Sequence, residues 1–211
     1  IELRTAAWMW QDAGMLQTYQ NNGDIHQDTA DIMVRLGYGH LLGNTPDRRR
    51  RVAKDLNFLV LYGGDENTMW NRKQIPLDVG GPLVRGWMES RPGIANGIRE
   101  TKAFALANGY TETLYGRRRD ESDALNSNTE YRREAALREL VNHVIQGTAA
   151  EFNKEALHYL RLQNQIHTVH DSGMQEELLG YVFPGIPEGI VPFHAPIELK
   201  EGPNWKDMKV V

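Results

Sequence analysis

Apolar positions follow one spacing along most of the chain and another near its C-terminal end. Over the longer part they recur every three or four residues, as they do on one face of an α-helix. We expect helices over residues 2–20, 25–36, 46–62, 76–89, 93–107, 130–146 and 148–163. The intervening residues 39–44 are rich in glycine and polar side chains, and they predict a loop.

Shorter segments alternate around tight turns and predict β-structure. Residues 109–119 contain a turn, and residues 165–170 and 174–179 flank the sequence His-Asp-Ser-Gly, so each region predicts a hairpin. Residues 195–199 predict a last strand. Many helices followed by a small antiparallel sheet favour the α+β class.

Capping residues define two of the predicted helices. Asp24 can cap the helix over 25–36, because a short acidic side chain accepts from the first backbone N–H groups. Thr45 followed by Pro46 combines a hydroxyl cap with proline at the first helical position. That helix is expected to stop at the glycine pair 63–64.

The helix over 46–62 carries an ordered set of side chains. Arg50, Lys54, Phe58 and Tyr62 follow at four-residue intervals, so they form one stripe on the helix. Two positive charges suit a triphosphate, and an aromatic ring and a phenol suit a stacked base and sugar. The helix N-terminus adds to the attraction for phosphate. The alternative is a solvated basic face with both aromatic rings in the core.

Composition narrows the possible classes of protein. The chain has 211 residues, 40% hydrophobic and 25% charged, as in a globular protein without a membrane span. It has no cysteine, which excludes disulfides and cysteine–zinc sites and favours a reducing, cytoplasmic setting. The net charge of −4 hides basic clusters at 48–51, at 117–119 and around 132–138, and such local patches set the field that a ligand meets.

Three further groups of polar residues suggest binding chemistry. Asp171 at a hairpin tip would offer an open carboxylate to Mg²⁺, unless it only serves the turn. Arg138, Asn142 and Gln146 would place donors along one helix face, where they could meet the acceptors of a duplex minor groove or form a polar surface. His26 would lie in the first turn after Asp24, where a plain surface histidine is the alternative.

Six segments, in order, resemble the polymerase domain of family A DNA polymerases, the polymerase I type shared by many phages. They are residues 1–4 (the end of the first catalytic motif), 23–30 (GDIHxxTA), 50–63 (RxxxKxxxFxxxYG), 113–118 (TxxGRR), 138–149 (RxxxNxxxQGTA) and 169–171 (VHD). The resemblance implies a palm segment over 1–23, helical fingers over 24–108, and the C-terminal part of a palm with a small sheet over 109–211.

The resemblance also implies a role for each matching residue in template-directed DNA synthesis from dNTPs with two Mg²⁺ ions. Asp171 would bind metal and His170 would lie beside the primer end. The dNTP-binding residues would be Arg50, Lys54, Phe58, Tyr62, His26 and Glu2, with Glu2 excluding a ribose 2′-OH and Lys54 serving the leaving pyrophosphate. The residues that bind primer–template DNA would be Arg138, Asn142, Gln146, Arg117 and Arg118.

The resemblance places the family's first metal-binding aspartate four positions before Ile1. A two-metal site cannot assemble without it, so we expect the 211-residue chain alone to be inactive, as part of a longer polymerase. The measurement is primer extension by the purified chain with all four dNTPs and Mg²⁺. Elongated product above a no-protein control would contradict this expectation.

Two alternatives remain open from the sequence. A single-subunit RNA polymerase shares the lysine of the fingers, but Glu2 and Phe58 disfavour it because an RNA polymerase needs no 2′-OH gate. A non-catalytic DNA-binding module derived from a polymerase is permitted by Leu59, where the family usually has glycine, and by Ser172, where an acidic residue is usual.

Overall fold

The computed structural model of the protein describes residues 1–160, 165–169, 172–175, 192, 200–201 and 209–210. The helices in these residues are α1 (Glu2–Met9), α2 (Ala13–Gln20), α3 (Ile25–Arg35), α4 (Gly39–Leu42), α5 (Pro46–Leu61), α6 (Glu66–Lys73), α7 (Leu77–Ser90), α8 (Pro92–Asn108), α9 (Ser122–Leu125) and α10 (Glu130–Leu160). The strands are β1 (Tyr110–Glu112), β2 (Arg118–Asp120), β3 (Gln165–Val169), β4 (Ser172–Gln175), β5 (Lys200–Glu201) and β6 (Lys209–Val210).

The described strands form antiparallel pairs, β1 with β2, β3 with β4 and β5 with β6. Both predicted hairpins are present, and Val169 lies opposite Ser172 in the second. The predicted strand over 195–199 lies outside the described residues. Helices predominate over these small sheets, so the α+β class is confirmed.

The chain divides into two compact units, Ile1–Glu151 and Phe152–Val211. The first unit is built around a core to which α1 to α8 and α10 contribute. Its largest fully buried apolar side chains are Met15, Met33, Leu42, Leu56, Leu61, Met69, Leu83, Trp87, Ile94, Leu140 and Ile145. In the described part of the chain no helix has both the length and the apolar character needed to cross a bilayer.

The caps of α3 and α5 are formed as the sequence predicts. Asp24 Oδ1 accepts from His26 N at 2.8 Å, and Thr45 Oγ1 accepts from Arg48 N at 3.3 Å. Helix α5 ends before Gly63, whose φ of +73° is a conformation that L side chains rarely adopt. These local interactions fix where both helices begin and end.

Two predictions about the N-terminal region are wrong. Residues 39–44 are not all loop, because Gly39–Leu42 forms the short helix α4, which buries Leu42. Residues 2–20 form two helices, with Gln11 at a φ of +50° between them. Helix α6 was not predicted from the sequence, although Asp65 caps it by accepting from Thr68 N at 2.8 Å.

Asp12 explains the break between α1 and α2. Its carboxylate is buried and caps α2 by accepting from Met15 N at 3.0 Å. The second carboxylate oxygen accepts from Gly93 N at 3.1 Å and Ile94 N at 3.4 Å, at the start of α8. One side chain therefore satisfies the N-termini of two helices that lie far apart in the sequence.

The two helices predicted over 130–146 and 148–163 are one helix as far as the chain is described, since α10 continues through Gly147. Position 147 needs a glycine for packing, because a Cβ there would lie 2.5 Å from Thr113 Cγ2 and clash with it. The loop between β1 and β2 therefore approaches the backbone of α10 closely. Gly147 therefore allows the close contact with Thr113, and it is not the end of a helix.

Candidate nucleotide and DNA site

Helix α5 presents two exposed cations followed by two half-buried aromatic side chains. Arg50 and Lys54 are exposed, while Phe58 and Tyr62 pack against the core and keep part of their surface accessible. The Phe58 and Tyr62 ring centroids are 6.0 Å apart. The remaining side of α5 is buried through Ala53, Leu56, Asn57, Val60 and Leu61. The aromatic residues thus belong to both the core margin and the surface.

The start of α3 lies against this stripe. Asp24 accepts from Arg50 Nε at 2.6 Å, and the His26 ring centroid is 6.0 Å from that of Phe58. Burial raises the pKa of Asp24, but Arg50 and the backbone N–H groups at the helix start outweigh it, and the pKa lies below its usual range. Asp24 therefore serves both as a helix cap and as the partner of a cation.

His26 is half-buried beside several charges. Burial lowers the pKa of His26, the positive charges of Arg50 and Lys54 lower it further, and Asp24 opposes the change. These charges act on the ring from both α3 and α5. The imidazole is therefore favoured in its neutral form in the free protein.

Asn57 links His26 to the core, and this role was not predicted from the sequence. Asn57 Nδ2 lies 2.9 Å from His26 Nδ1, and Asn57 Oδ1 accepts from Trp87 Nε1 at 2.6 Å. Thr29 Oγ1 lies 3.0 Å from the same oxygen. The sequence does contain one indication of this role, because Asn57 is a polar residue among the apolar positions of α5 between Leu56 and Val60.

The aromatic end of the stripe meets α1 and α10. The Tyr62 hydroxyl donates to a Glu2 carboxylate oxygen, and Gln146 forms a further hydrogen bond with Tyr62. Burial and the Glu2 carboxylate raise the pKa of Tyr62, so the phenol stays protonated and remains a donor. The structure thus joins three predicted site residues that are separated by up to 144 positions in the sequence.

A cavity of about 390 Å³ opens between α5, α6 and α10. Four predicted site residues line it, Phe58, Tyr62, Arg138 and Asn142. Six further lining residues were not predicted as site residues: Asp55, Leu59, Gly64, Thr68, Ala135 and Glu139. This volume lies within the range of pockets that hold small molecules. The aromatic end of the stripe and the polar row on α10 therefore share one cavity.

The polar row on α10 differs in exposure along its length. Arg138 packs against Gly63, where a Cβ would lie 3.6 Å from Arg138 Cγ, while Gln146 is exposed. Asn142 Oδ1 is buried without a hydrogen-bond partner among the described residues. An unpaired buried acceptor costs free energy, so this oxygen is suited to accept a hydrogen bond from a ligand or water.

Two predicted DNA-binding arginines lie on the β1–β2 hairpin and form ion pairs with glutamates. Arg117 lies 3.1 Å from Glu151 and donates to the Gly147 carbonyl at 3.2 Å. Arg118 Nε lies 2.5 Å from Glu112 Oε1. Both arginine side chains keep substantial exposure, 47% and 64%, so each can meet a further anion.

The predicted metal ligand Asp171 and its neighbour His170 lie outside the described residues. They fall between β3 and β4, which pair as far as Val169 and Ser172. Across the residues that the structure does describe, no three histidine, aspartate or glutamate side chains cluster as a metal site.

Comparisons with known proteins identify the family of the chain. Residues 1–180 match the family model for DNA polymerase family A. DNA polymerase I of Deinococcus radiodurans is 34% identical over 99% of this chain and 23% of that protein. The thermostable DNA polymerase I of Thermus thermophilus is 33% identical over 99% of this chain and 26% of that protein. The chain thus spans about a quarter of the length of these relatives.

A solved structure shows the same likeness in three dimensions. It is the POL domain of Pol1 from M. smegmatis in complex with DNA primer-template and dNTP. The TM-score is 0.68 at 26% identity, and the match covers 81% of this chain and 31% of that one. The resemblance predicted from the six sequence motifs is confirmed: the chain belongs to DNA polymerase family A.

Proposed function

We propose that this chain forms the nucleotide- and DNA-binding part of an enzyme for template-directed DNA synthesis. The observation that carries the proposal is the convergence of three separate segments on the α5 stripe. His26 comes from α3, Glu2 from α1 and Gln146 from α10, and each lies against an aromatic residue of the stripe. A solvated basic face would not need such partners.

The side chains of the stripe follow the order of the parts of a deoxynucleoside triphosphate, from its phosphates to its base. Arg50, Lys54 and His26 hold the phosphates, since cations and N–H donors bind phosphate oxygens by charge-assisted hydrogen bonds. Phe58 stacks beside the sugar and base. Tyr62 supports the nascent base pair, and its bond to Glu2 holds that carboxylate as a gate against a 2′-OH.

The row on α10 suits the end of a primer–template duplex. Arg138 and Gln146 donate to minor-groove acceptors, whose pattern hardly changes with base sequence. Asn142 joins them from the cavity wall with both an amide donor and its unpaired oxygen. Arg117 and Arg118 on the hairpin contact the phosphate backbone, which gives affinity and position without sequence choice.

The proposed reaction is attack of a primer 3′-OH on the α-phosphorus of the nucleotide, with pyrophosphate leaving. Lys54 holds the departing phosphates and can give them a proton. Asp171 is the proposed Mg²⁺ ligand of this chain, with His170 near the primer end; the ion, when bound, neutralises phosphate charge. We assign 24–108 to the fingers and 1–23 with 109–211 to the palm.

Primer–template binding by the 211-residue chain tests the proposal through Gln146. We expect Gln146→Ala to weaken binding about twofold to tenfold, the value of one neutral hydrogen bond. The loss should be equal for duplex ends of A·T and G·C sequence, because the minor-groove acceptors persist in both. The measurement is fluorescence anisotropy of a labelled primer–template hairpin at fixed salt.

Gln17→Ala is the matched control, since it removes the same atoms from an exposed helical position on α2. It should bind DNA as the unaltered chain does. Equal weakening in both variants would contradict the minor-groove role of Gln146. DNA binding together with a complete failure to bind dNTPs would instead favour a non-catalytic DNA-binding module.

A further inference from the structure

The orientation of the Asn57 amide is fixed by its neighbour on α7. Trp87 Nε1 lies 2.6 Å from Asn57, and an indole N–H can only donate a hydrogen bond. The amide atom that faces it must therefore be the oxygen. Both side chains are buried, at 1% exposure or less, so water cannot substitute for this pairing.

This orientation determines where His26 carries its proton. With the amide oxygen directed to Trp87, the NH₂ group of Asn57 faces His26 Nδ1 at 2.9 Å. An NH₂ group is a donor without acceptor capacity, so Nδ1 must supply a lone pair. The proton of the neutral ring then resides on Nε2, the nitrogen on the far side of the ring from Asn57.

We propose that Asn57 is a positioning residue that holds His26 in its Nε2-protonated neutral form, so that the ring offers an N–H donor to a phosphate oxygen of a bound dNTP. The inference rests on the proposed function and deepens it. The indole N–H of Trp87 fixes the orientation of the Asn57 amide, and the amide in turn fixes the position of the proton on the His26 ring.

The surroundings of His26 support this assignment. The charges that face the ring are the Asp24 carboxylate from the start of α3 and the cations Arg50 and Lys54 from α5. Burial and these two cations lower the pKa of His26, which favours the neutral form that Asn57 requires. A protonated ring would place a hydrogen on Nδ1 against the donor of Asn57. The neutral form and the amide bond therefore favour each other.

A purely structural role would give Asn57 a different signature. In that case Asn57 would only tie α3, α5 and α7 together in the core, and the proton position on His26 would not depend on it. The substitution Asn57→Asp separates the two roles. It keeps an oxygen for Trp87 and Thr29 but replaces the donor that faces His26 with an acceptor.

The test is nitrogen-15 NMR of the His26 ring in the free 211-residue chain, followed by dATP titration. In the unaltered chain we expect Nδ1 to show the shift of an unprotonated nitrogen and Nε2 that of a protonated one. In Asn57→Asp we expect Nδ1 to become protonated. At a pH above the pKa of the ring, Nε2 then carries a lone pair in place of its N–H, and the affinity for dATP should fall about tenfold.

Thr29→Val is the matched control, because it removes another hydrogen bond to Asn57 but leaves the amide donor facing His26. Its ring spectrum should match that of the unaltered chain. If Asn57→Asp does not fold, Trp87→Phe takes its place. Loss of the indole donor frees the amide to turn over, so both ring nitrogens should show averaged shifts.

Each outcome decides the inference. A protonated Nδ1 in the unaltered chain, or an unchanged ring spectrum in Asn57→Asp, overturns it. Unchanged dATP affinity in Asn57→Asp with an altered ring spectrum overturns the phosphate contact. If the unaltered chain binds no dATP, the proposed nucleotide function fails, and the ring spectra still decide the role of Asn57 separately.

Discussion

Lys54→Ala is expected to lower the affinity of the chain for a dNTP by about 10- to 100-fold. A hydrogen bond between charged groups contributes about 1.5–3 kcal/mol, and each 1.4 kcal/mol is a factor of ten. Lys54 lies one turn after Arg50 and one turn before Phe58 on α5. Its charge already acts on the His26 ring, so the pKa of His26 should rise in the variant.

Isothermal titration with dATP and NMR titration of His26 measure the two effects. Arg51→Ala is the matched control, because Arg51 is exposed on the same helix and its removal changes the net charge equally. We expect that control to lower the affinity far less, since Arg51 lies outside the stripe. Equal losses in the two variants would mean that only the general positive field attracts the nucleotide.

Asp12→Ala is expected to lower the free energy of unfolding by about 2–4 kcal/mol. Loss of one helix cap costs about 0.5–2 kcal/mol, and this carboxylate caps both α2 and α8. Asp12 is 1% exposed, so water cannot readily replace it at Met15 N or Gly93 N. Urea unfolding followed by circular dichroism measures the change.

Asp12→Asn gives the graded comparison. An asparagine keeps one acceptor oxygen and replaces the other with a donor, so it can cap only one of the two helices. Its stability should lie between that of Asp12→Ala and that of the unaltered chain. Stability of the alanine variant within about 0.5 kcal/mol of the unaltered chain would contradict the double-capping role.

Much of the helical architecture was predictable because its causes are local. The caps at Asp24 and Thr45 and the glycines after α5 act over a few residues, and the structure forms them as expected. The failures have distant causes. Asp12 serves α8 as well as α2, and Gly147 makes room for Thr113, so neither meaning is visible within a short sequence window.

In the candidate site too, the features with local causes were predictable and those with distant causes were not. Four-residue spacing brings Arg50, Lys54 and Phe58 together because a helix repeats every 3.6 residues. The bond of Tyr62 to Glu2 depends on the packing of separate helices, and only the family resemblance indicated that both belong to one site. Asn57 was missed because its importance lies in the partners at both ends of its amide.

The ion pair between Asp24 and Arg50 means that a carboxylate of the protein itself already lies against the Arg50 guanidinium. If a triphosphate binds at Arg50 as we propose, it either shares the guanidinium with this carboxylate or takes its place in an exchange of anions, since the Arg50 side chain is 45% exposed. Asp24 uses Oδ2 for Arg50 and Oδ1 for the helix start, so α3 keeps its cap during the exchange. In that case a singly charged anion would only replace one single charge with another, whereas a polyphosphate would bring more negative charge to Arg50, so we expect this position to favour polyphosphates.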